Sequence, residues 1–202
     1  LIVLLSMLVT PLLAYFAQHL SKASDTKKPS HTEITNTPPV VLIGFGRVGH
    51  RIGDIFSIAK IPFIAVDSDA LVVEKGRQIG HPIFYGDARK PDLLKSVDIA
   101  NAETIIVTLN DPSATKQVIS VLRKIHLKAT IYARGHSLDE CCELRKLGAS
   151  GAVSENVEAS LKLADLALTN YGLDDAKRES IIHNFREEYH AQIANAVRSE
   201  KH

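Results

Sequence analysis

Only two of the 202 residues are cysteine, and they stand side by side at Cys141 and Cys142. Adjacent cysteines cannot form an ordinary structural disulfide and do not make a CxxC pair, so neither a disulfide scaffold nor a dithiol redox motif is expected, in keeping with a reducing compartment. Charge of one sign is also missing: 24 Lys and Arg stand against 23 Asp and Glu, a net +1. That balance excludes the basic footprint of a nucleic-acid binder and a polybasic membrane patch. No GxSxG elbow, Walker lysine motif or HExxH helix occurs. The nine histidines show no repeated ligand spacing, so no metal centre is expected and they read as solvated or capping residues. What remains is an ordinary folding composition, 45% hydrophobic and 23% charged, enough for one sizeable core and an appendage.

The even overall charge conceals an uneven start. Leu1 to Leu20 contain no Lys, Arg, Asp or Glu, and eleven of these twenty residues are Leu, Ile, Val or Phe. On an insertion scale they contribute roughly −3 to −7 kcal/mol, and twenty helical residues span about 30 Å, the thickness of a bilayer core. Residues 1–20 are therefore expected to be a transmembrane helix. A signal peptide would need a basic n-region, a shorter apolar stretch and a small-residue cleavage site, which this segment does not offer. Since the chain starts at Leu, the helix reads as the last span of something larger whose upstream part is absent. Residues 21–37 form a polar linker rich in Ser, Thr, Lys, Asp and Asn. Lys22, Lys27 and Lys28 beside the span are expected to place everything after residue 20 in the cytoplasm, and the localisation expected for the chain is the inner (plasma) membrane.

Val40, Val41, Leu42 and Ile43 form a short apolar run that enters Gly44-Phe45-Gly46-Arg47-Val48-Gly49, the place for a strand feeding a GxGxxG turn and a helix opening at Arg47. The three glycines serve different ends: Gly44 the tight turn, Gly46 the close approach of backbone to a pyrophosphate, Gly49 the close packing of the helix. A helix N-terminus there favours an anion through its free N–H groups and macrodipole. A second apolar run, Phe63 to Val66, ends in Asp67, 18 residues beyond Gly49. A carboxylate at that strand tip accepts ribose hydroxyls and repels a 2′-phosphate, so NAD(H) or AMP is favoured over NADP. The competing reading is a plain tight turn, with Asp67 capping a helix that begins near Asp69.

Further short apolar runs at Ile83 to Tyr85, Thr104 to Thr108, Thr130 to Ala133 and Ala152 to Val153 alternate with amphipathic stretches, the pattern of an α/β, doubly wound parallel sheet of Rossmann type. Val118, Val121, Leu122 and Ile125, and then Leu138, Cys141, Leu144 and Leu147, are expected to face the sheet. Residues 158–202 are expected to form peripheral helices, with Ile181, Ile182, Phe185, Tyr189, Ile193 and Val197 as the apolar stripe of a helix over Arg178 to Val197. That stripe serves either its own domain or a partner helix. Ligands of such sheets gather at the carboxyl ends of strands. There stand Asp67, Asp87, Asn110, Asp111 and Arg134, although Asp87 and Asp111 can equally cap the helices that follow.

Val40 to Gly49, Val66-Asp67, Phe84-Tyr-Gly-Asp-Ala88, Asn110-Asp-Pro112 and Ala133-Arg134 together resemble the potassium-transport nucleotide-binding domain, also called RCK or TrkA-N, over about residues 38–157. With the apolar span upstream, the chain is similar to the C-terminal part of a Kef-type potassium:proton antiporter of the monovalent cation:proton antiporter-2 family. The resemblance implies a homodimerising regulator that binds an adenine nucleotide and gates the upstream transport domain. It implies that Gly44, Phe45, Gly46, Arg47 and Val48 hold phosphates, Asp67 and Ser68 read the ribose, and Asp87 with Ala88 border the adenine. Arg134 is its candidate for a second, glutathione-type ligand. The asparagine that such proteins use on the later peripheral helix has no evident counterpart, since Tyr189 and His190 stand there, which weakens the implication of glutathione control. Two other functions share the glycine motif. An NAD-dependent oxidoreductase needs catalytic residues on a further domain, and about 45 residues after the sixth strand offer no paired acid and base. A single-span adaptor gating a separate transporter is the other.

Overall fold

Six parallel strands in the order β3-β2-β1-β4-β5-β6 form one sheet, in a computed structural model that describes residues 40–97, 99–125 and 128–198. The expected transmembrane helix and linker lie outside the described residues. Among those described, no helix is long and apolar enough to cross a membrane. The strands are β1 (Val40–Ile43), β2 (Phe63–Asp67), β3 (Ile83–Tyr85), β4 (Thr104–Val107), β5 (Thr130–Gly135) and β6 (Gly151–Ser154). The helices are α1 (Arg47–Ile58), α2 (Ala70–Gln78), α3 (Pro91–Ser96), α4 (Pro112–Ile125), α5 (Leu138–Lys146), α6 (Glu155–Asn170) and α7 (Asp175–Arg198). This is the doubly wound parallel arrangement the alternation predicts. The order reverses between β1 and β4, where each connection leaves the sheet in the opposite direction and a crevice opens at the carboxyl ends.

Strand β1 shows why the apolar runs pair on both faces. Val41 and Ile43 join the cluster containing Ile105, Val107, Val118, Leu122 and Ile131, whereas Leu42 joins Phe45, Phe63, Ala65, Val73 and Ile83. Successive side chains point to opposite faces, so a central strand with both faces covered must be apolar throughout. In α4, Val118 and Leu122 are fully buried, and Ile119, outside the expected stripe, is buried with them. In α5, Cys141 and Leu144 are buried while Leu147 is exposed, because the helix ends at Lys146 and Gly148 turns the chain at φ 109°. Burial pushes the Cys141 thiol up to about 11, which makes it a packing residue and a poor nucleophile.

Helix α7 begins three residues ahead of the expected Arg178. Asp174 accepts the Lys177 N–H through its side chain at 2.8 Å and the Arg178 N–H through its carbonyl at 3.0 Å, satisfying donors of the first turn. Ile193 is buried and Tyr189 packs on the main core. Ile181 and Phe185, earlier on the same helix, are exposed. The stripe therefore divides, Tyr189 and Ile193 serving the domain and Ile181 and Phe185 left on the surface.

Candidate nucleotide cleft

The chain turns off β1 at Gly44 with φ 91°, a left-handed conformation that a side chain would strain. Thr108 holds this turn: its hydroxyl donates to the Gly44 carbonyl at 2.7 Å and its N–H to the Ile43 carbonyl at 2.8 Å. Gly49, one turn into α1, lies so close that a Cβ there would sit 2.0 Å from the Gly44 carbonyl oxygen. Gly46 is the exposed N-cap of α1, and a Cβ added to it meets no atom within 4 Å. Its surroundings leave room for a ligand beside the first amides of α1, which have no intrahelical acceptor. Arg47 is exposed and Val48 half-buried at this opening.

Phe45 departs from the expectation that it holds phosphate. Its ring is buried in the core, and its N–H donates to Asp67 Oδ2 at 2.5 Å. The other Asp67 oxygen accepts the Asp69 N–H at 2.8 Å. Asp67 thus ties the tip of β2 to the glycine turn, and the cap of α2 is Asp69, whose carboxylate accepts the Leu71 and Val72 N–H groups at 2.8 and 3.4 Å. A carboxylate oxygen has a second lone pair, so Asp67 retains acceptor capacity toward the cleft that it lines.

That cleft, about 260 Å³, is bordered by Asp67, Ser68, Asp87, Ala88, Arg89 and Asn110, among others. The strand-tip residues from β2, β3 and β4 are therefore brought together as the sequence pattern predicts. Arg89 joins them without any signal in that pattern. It grips the Asp87 carboxylate through Nε at 2.9 Å and Nη2 at 2.8 Å, and this bond holds the carboxyl below its usual range. Asp87 does not cap α3, whose N-cap is Lys90. Asp111 does cap: its carboxylate accepts the Ser113 N–H at 2.9 Å ahead of Pro112. A larger groove of about 440 Å³ lies between α6 and α7. Its charges are largely paired, Arg186 with Glu158 at 3.0 Å and Lys162 with Asp165 at 3.0 Å, and no glycine turn or strand end reaches it.

Arg134 stands one strand beyond the cleft and is not a free anion receptor. Its Nη1 donates to Glu155 at 2.9 Å, and its Nη2 to the Asn110 side chain at 2.9 Å and the Leu109 carbonyl at 3.2 Å. Glu155, which no sequence motif marks, comes from the start of α6 and also meets His136 Nδ1 at 2.8 Å. His136 Nε2 faces the Asn110 carbonyl at 3.0 Å. Neutral imidazole has one N–H, so two acceptors are both served only by the imidazolium. The Asn110 carbonyl and then Glu155 accordingly raise the His136 pKa. Its stabilising contribution is complete below the unfolded value of about 6.5 and is lost as pH rises through the higher folded value. Proton NMR of the ring should therefore titrate above pH 6.5 or so. The stability gap between wild type and His136→Gln should shrink as the solution is made alkaline, and a gap that widens would contradict this assignment.

Comparison with known proteins places these features. Over 172 residues the chain is 32% identical to the glutathione-regulated potassium-efflux system protein KefC of Cronobacter sakazakii, covering 85% of this chain and 28% of that protein. The chain thus spans little more than a quarter of that relative. The Kef C-terminal domain of Shewanella denitrificans, solved in an AMP-bound form, superposes with a TM-score of 0.70 at 22% identity, over 79% of this chain and 97% of that one, which is a likeness of fold. The GsuK protein solved with ADP superposes with a TM-score of 0.58 at 28% identity, over 64% of this chain and 34% of that one. Residues 40–155, from the first strand through the start of α6, match the TrkA-N domain family, and the chain belongs to that family.

Proposed function

We propose that this chain is the cytoplasmic regulatory part of a membrane potassium:proton antiporter involved in potassium efflux, and that it binds AMP or NAD(H) in the cleft between the glycine turn and the ends of β2, β3 and β4. The observation that carries the reading is the open N-terminus of α1 at Gly46, beside Asp67 and Ser68. That arrangement offers amide donors for phosphate and acidic and hydroxyl groups for ribose. The ADP held by GsuK and the potassium-efflux role in the name of the Cronobacter relative support the class of ligand and of partner. At about 260 Å³, the cleft is small beside the ~300–1,000 Å³ of larger ligand pockets, which favours a mononucleotide or the adenosine half of a dinucleotide.

In this reading Gly46, Arg47 and Val48 face the phosphates, Asp67 and Ser68 the ribose, and Asp87, Ala88 and Asn110 the base side. Residues 1–20 are the last span of the transport domain that precedes the regulatory domain in the intact chain, and two copies pair through exposed apolar positions such as Ile181 and Phe185. Binding shifts the transporter only by the ligand's differential affinity for its two states. The glutathione-type ligand finds less support, because Arg134 is already engaged by Glu155 and Asn110. No catalytic step is assigned.

Calorimetric titration of the chain with AMP, NAD+, NADH and NADP+ tests the proposal. AMP or NAD(H) should bind, and NADP+ should bind at least about tenfold more weakly because its 2′-phosphate meets Asp67. Asp67→Ala should narrow that gap. Failure of every adenine nucleotide to bind would end the reading, and hydride transfer to an added acceptor would replace it with an oxidoreductase.

A further inference from the structure

We propose that His50, Asp54 and His81 form a binding site for a divalent transition ion, with Zn2+ the ion their donor set fits best. His50 and Asp54 are four residues apart on α1, hence on one face of the helix. His81 reaches the same point from the turn before β3, where its N–H is anchored on the Gly76 carbonyl at 3.0 Å. Asp54 Oδ1 lies 3.7 Å from His50 Nε2 and 3.3 Å from His81 Nε2, and one donor atom from each residue falls within 4.8 Å of both others. An ion with tetrahedral bonds of about 2.0–2.1 Å holds its ligand atoms roughly 3.3–3.4 Å apart. One edge of the triangle already has this length, and another exceeds it by only a few tenths of an ångström.

The surroundings keep the imidazoles in place. The two rings meet edge to face at 5.7 Å between centroids and 84°. The buried Phe45 ring lies 5.6 Å from His50 and 5.3 Å from His81, and Phe63 lies 5.7 Å from His81. Such an apolar wall limits ring rotation without competing for the ion. Arg51 approaches the other Asp54 oxygen at 3.5 Å, which orients the carboxylate and leaves Oδ1 to the histidines. Two imidazole nitrogens and one carboxylate oxygen select zinc-class ions over Mg2+ and Ca2+, which take oxygen ligands. The side chains of His50 and Asp54 are 38% and 36% exposed, giving the ion an entry path and a fourth position for water. The sequence spacing hid this group, because His81 is 27 residues from Asp54. When bound, the ion would cross-link α1 to the turn before β3, directly behind the Phe45 ring.

This site stands apart from the nucleotide reading and fails or succeeds separately. The full 202-residue chain, stripped with chelator, would be titrated with zinc sulfate against a chromophoric competitor and its metal content measured after gel filtration. One Zn2+ per chain is expected, with a thermal midpoint that rises with zinc and does not respond to Mg2+ or Ca2+. The half-buried His50→Gln and the near-isosteric Asp54→Asn should each weaken binding at least about tenfold and should lose the zinc-dependent thermal shift, while circular dichroism stays that of wild type. Co2+ in place of zinc should give the visible bands of a four- or five-coordinate site, and His50→Gln should abolish them. Wild type that retains no zinc, or equal stoichiometry and affinity in both folded variants, would overturn the assignment by placing the ion on other histidines.

Discussion

Gly49→Ala is expected to destabilise the domain by about 3 kcal/mol or more, at or beyond the upper end of ordinary overpacking costs, although alanine is the better helix former by roughly 1 kcal/mol. The steric term wins because the new Cβ would stand 2.0 Å from the Gly44 carbonyl oxygen and 3.0 Å from Thr108 Oγ1. These neighbours have no room to yield. Gly44 is in a left-handed turn, and its carbonyl already accepts the Thr108 hydroxyl at 2.7 Å. Relief therefore requires α1 to move away from the β1 turn, opening the cluster that joins Phe45, Phe63 and Ile83. Urea or thermal denaturation would show the loss, with a thermal midpoint lower by at least about 6 °C for a domain of this size. A loss below about 1 kcal/mol would show that the helix can shift freely and that the glycine is there for another reason.

Gly46→Asp should separate folding from binding. The position is an N-cap with no side-chain hydrogen bond, and aspartate is a favoured N-cap that complements the helix dipole. With no atom within 4 Å of the added Cβ, stability should be unchanged or higher by a few tenths of a kcal/mol. Adenine nucleotide binding should nevertheless fall at least about a hundredfold, because two unit charges about 4 Å apart at an effective dielectric near 20 repel by roughly 4 kcal/mol. Calorimetry on the folded variant decides the matter. Unchanged affinity would move the phosphates away from α1, while loss of folding would contradict the open surroundings of Gly46.

The features legible in the sequence were those governed by local sterics and periodicity. The tight turn at Gly44 and the close packing at Gly49 follow from spacing alone, and so do the strands, two with the same ends and the rest differing by at most two residues. Asp67 was legible as a strand-tip carboxylate, but not as the acceptor of the Phe45 N–H, since that bond joins residues 22 apart. The Asp87 pairing with Arg89 lies in a loop, where no helical or strand period marks it. Arg134 is a candidate for a second ligand on the resemblance, and its pairing with Glu155 is not legible because that residue is 21 positions away and is delivered by the next strand and helix. Asp67 and Arg134 share one cause: strand-end side chains take partners from adjacent connections, and pairing across a sheet leaves no trace in the order of residues along the chain.

The Asp67 tether has a kinetic consequence. The glycine turn is fastened to the tip of β2 by the Phe45 N–H at 2.5 Å, and the Gly86 N–H reaches the Asp67 carbonyl at 2.8 Å, so the fold's own bonds tie together the loops that border the cleft. If the cleft binds the proposed nucleotide, capture at a site so fixed should wait on encounter and not on rearrangement. The observed association rate should rise in proportion to ligand concentration, without the plateau that a slow opening step imposes.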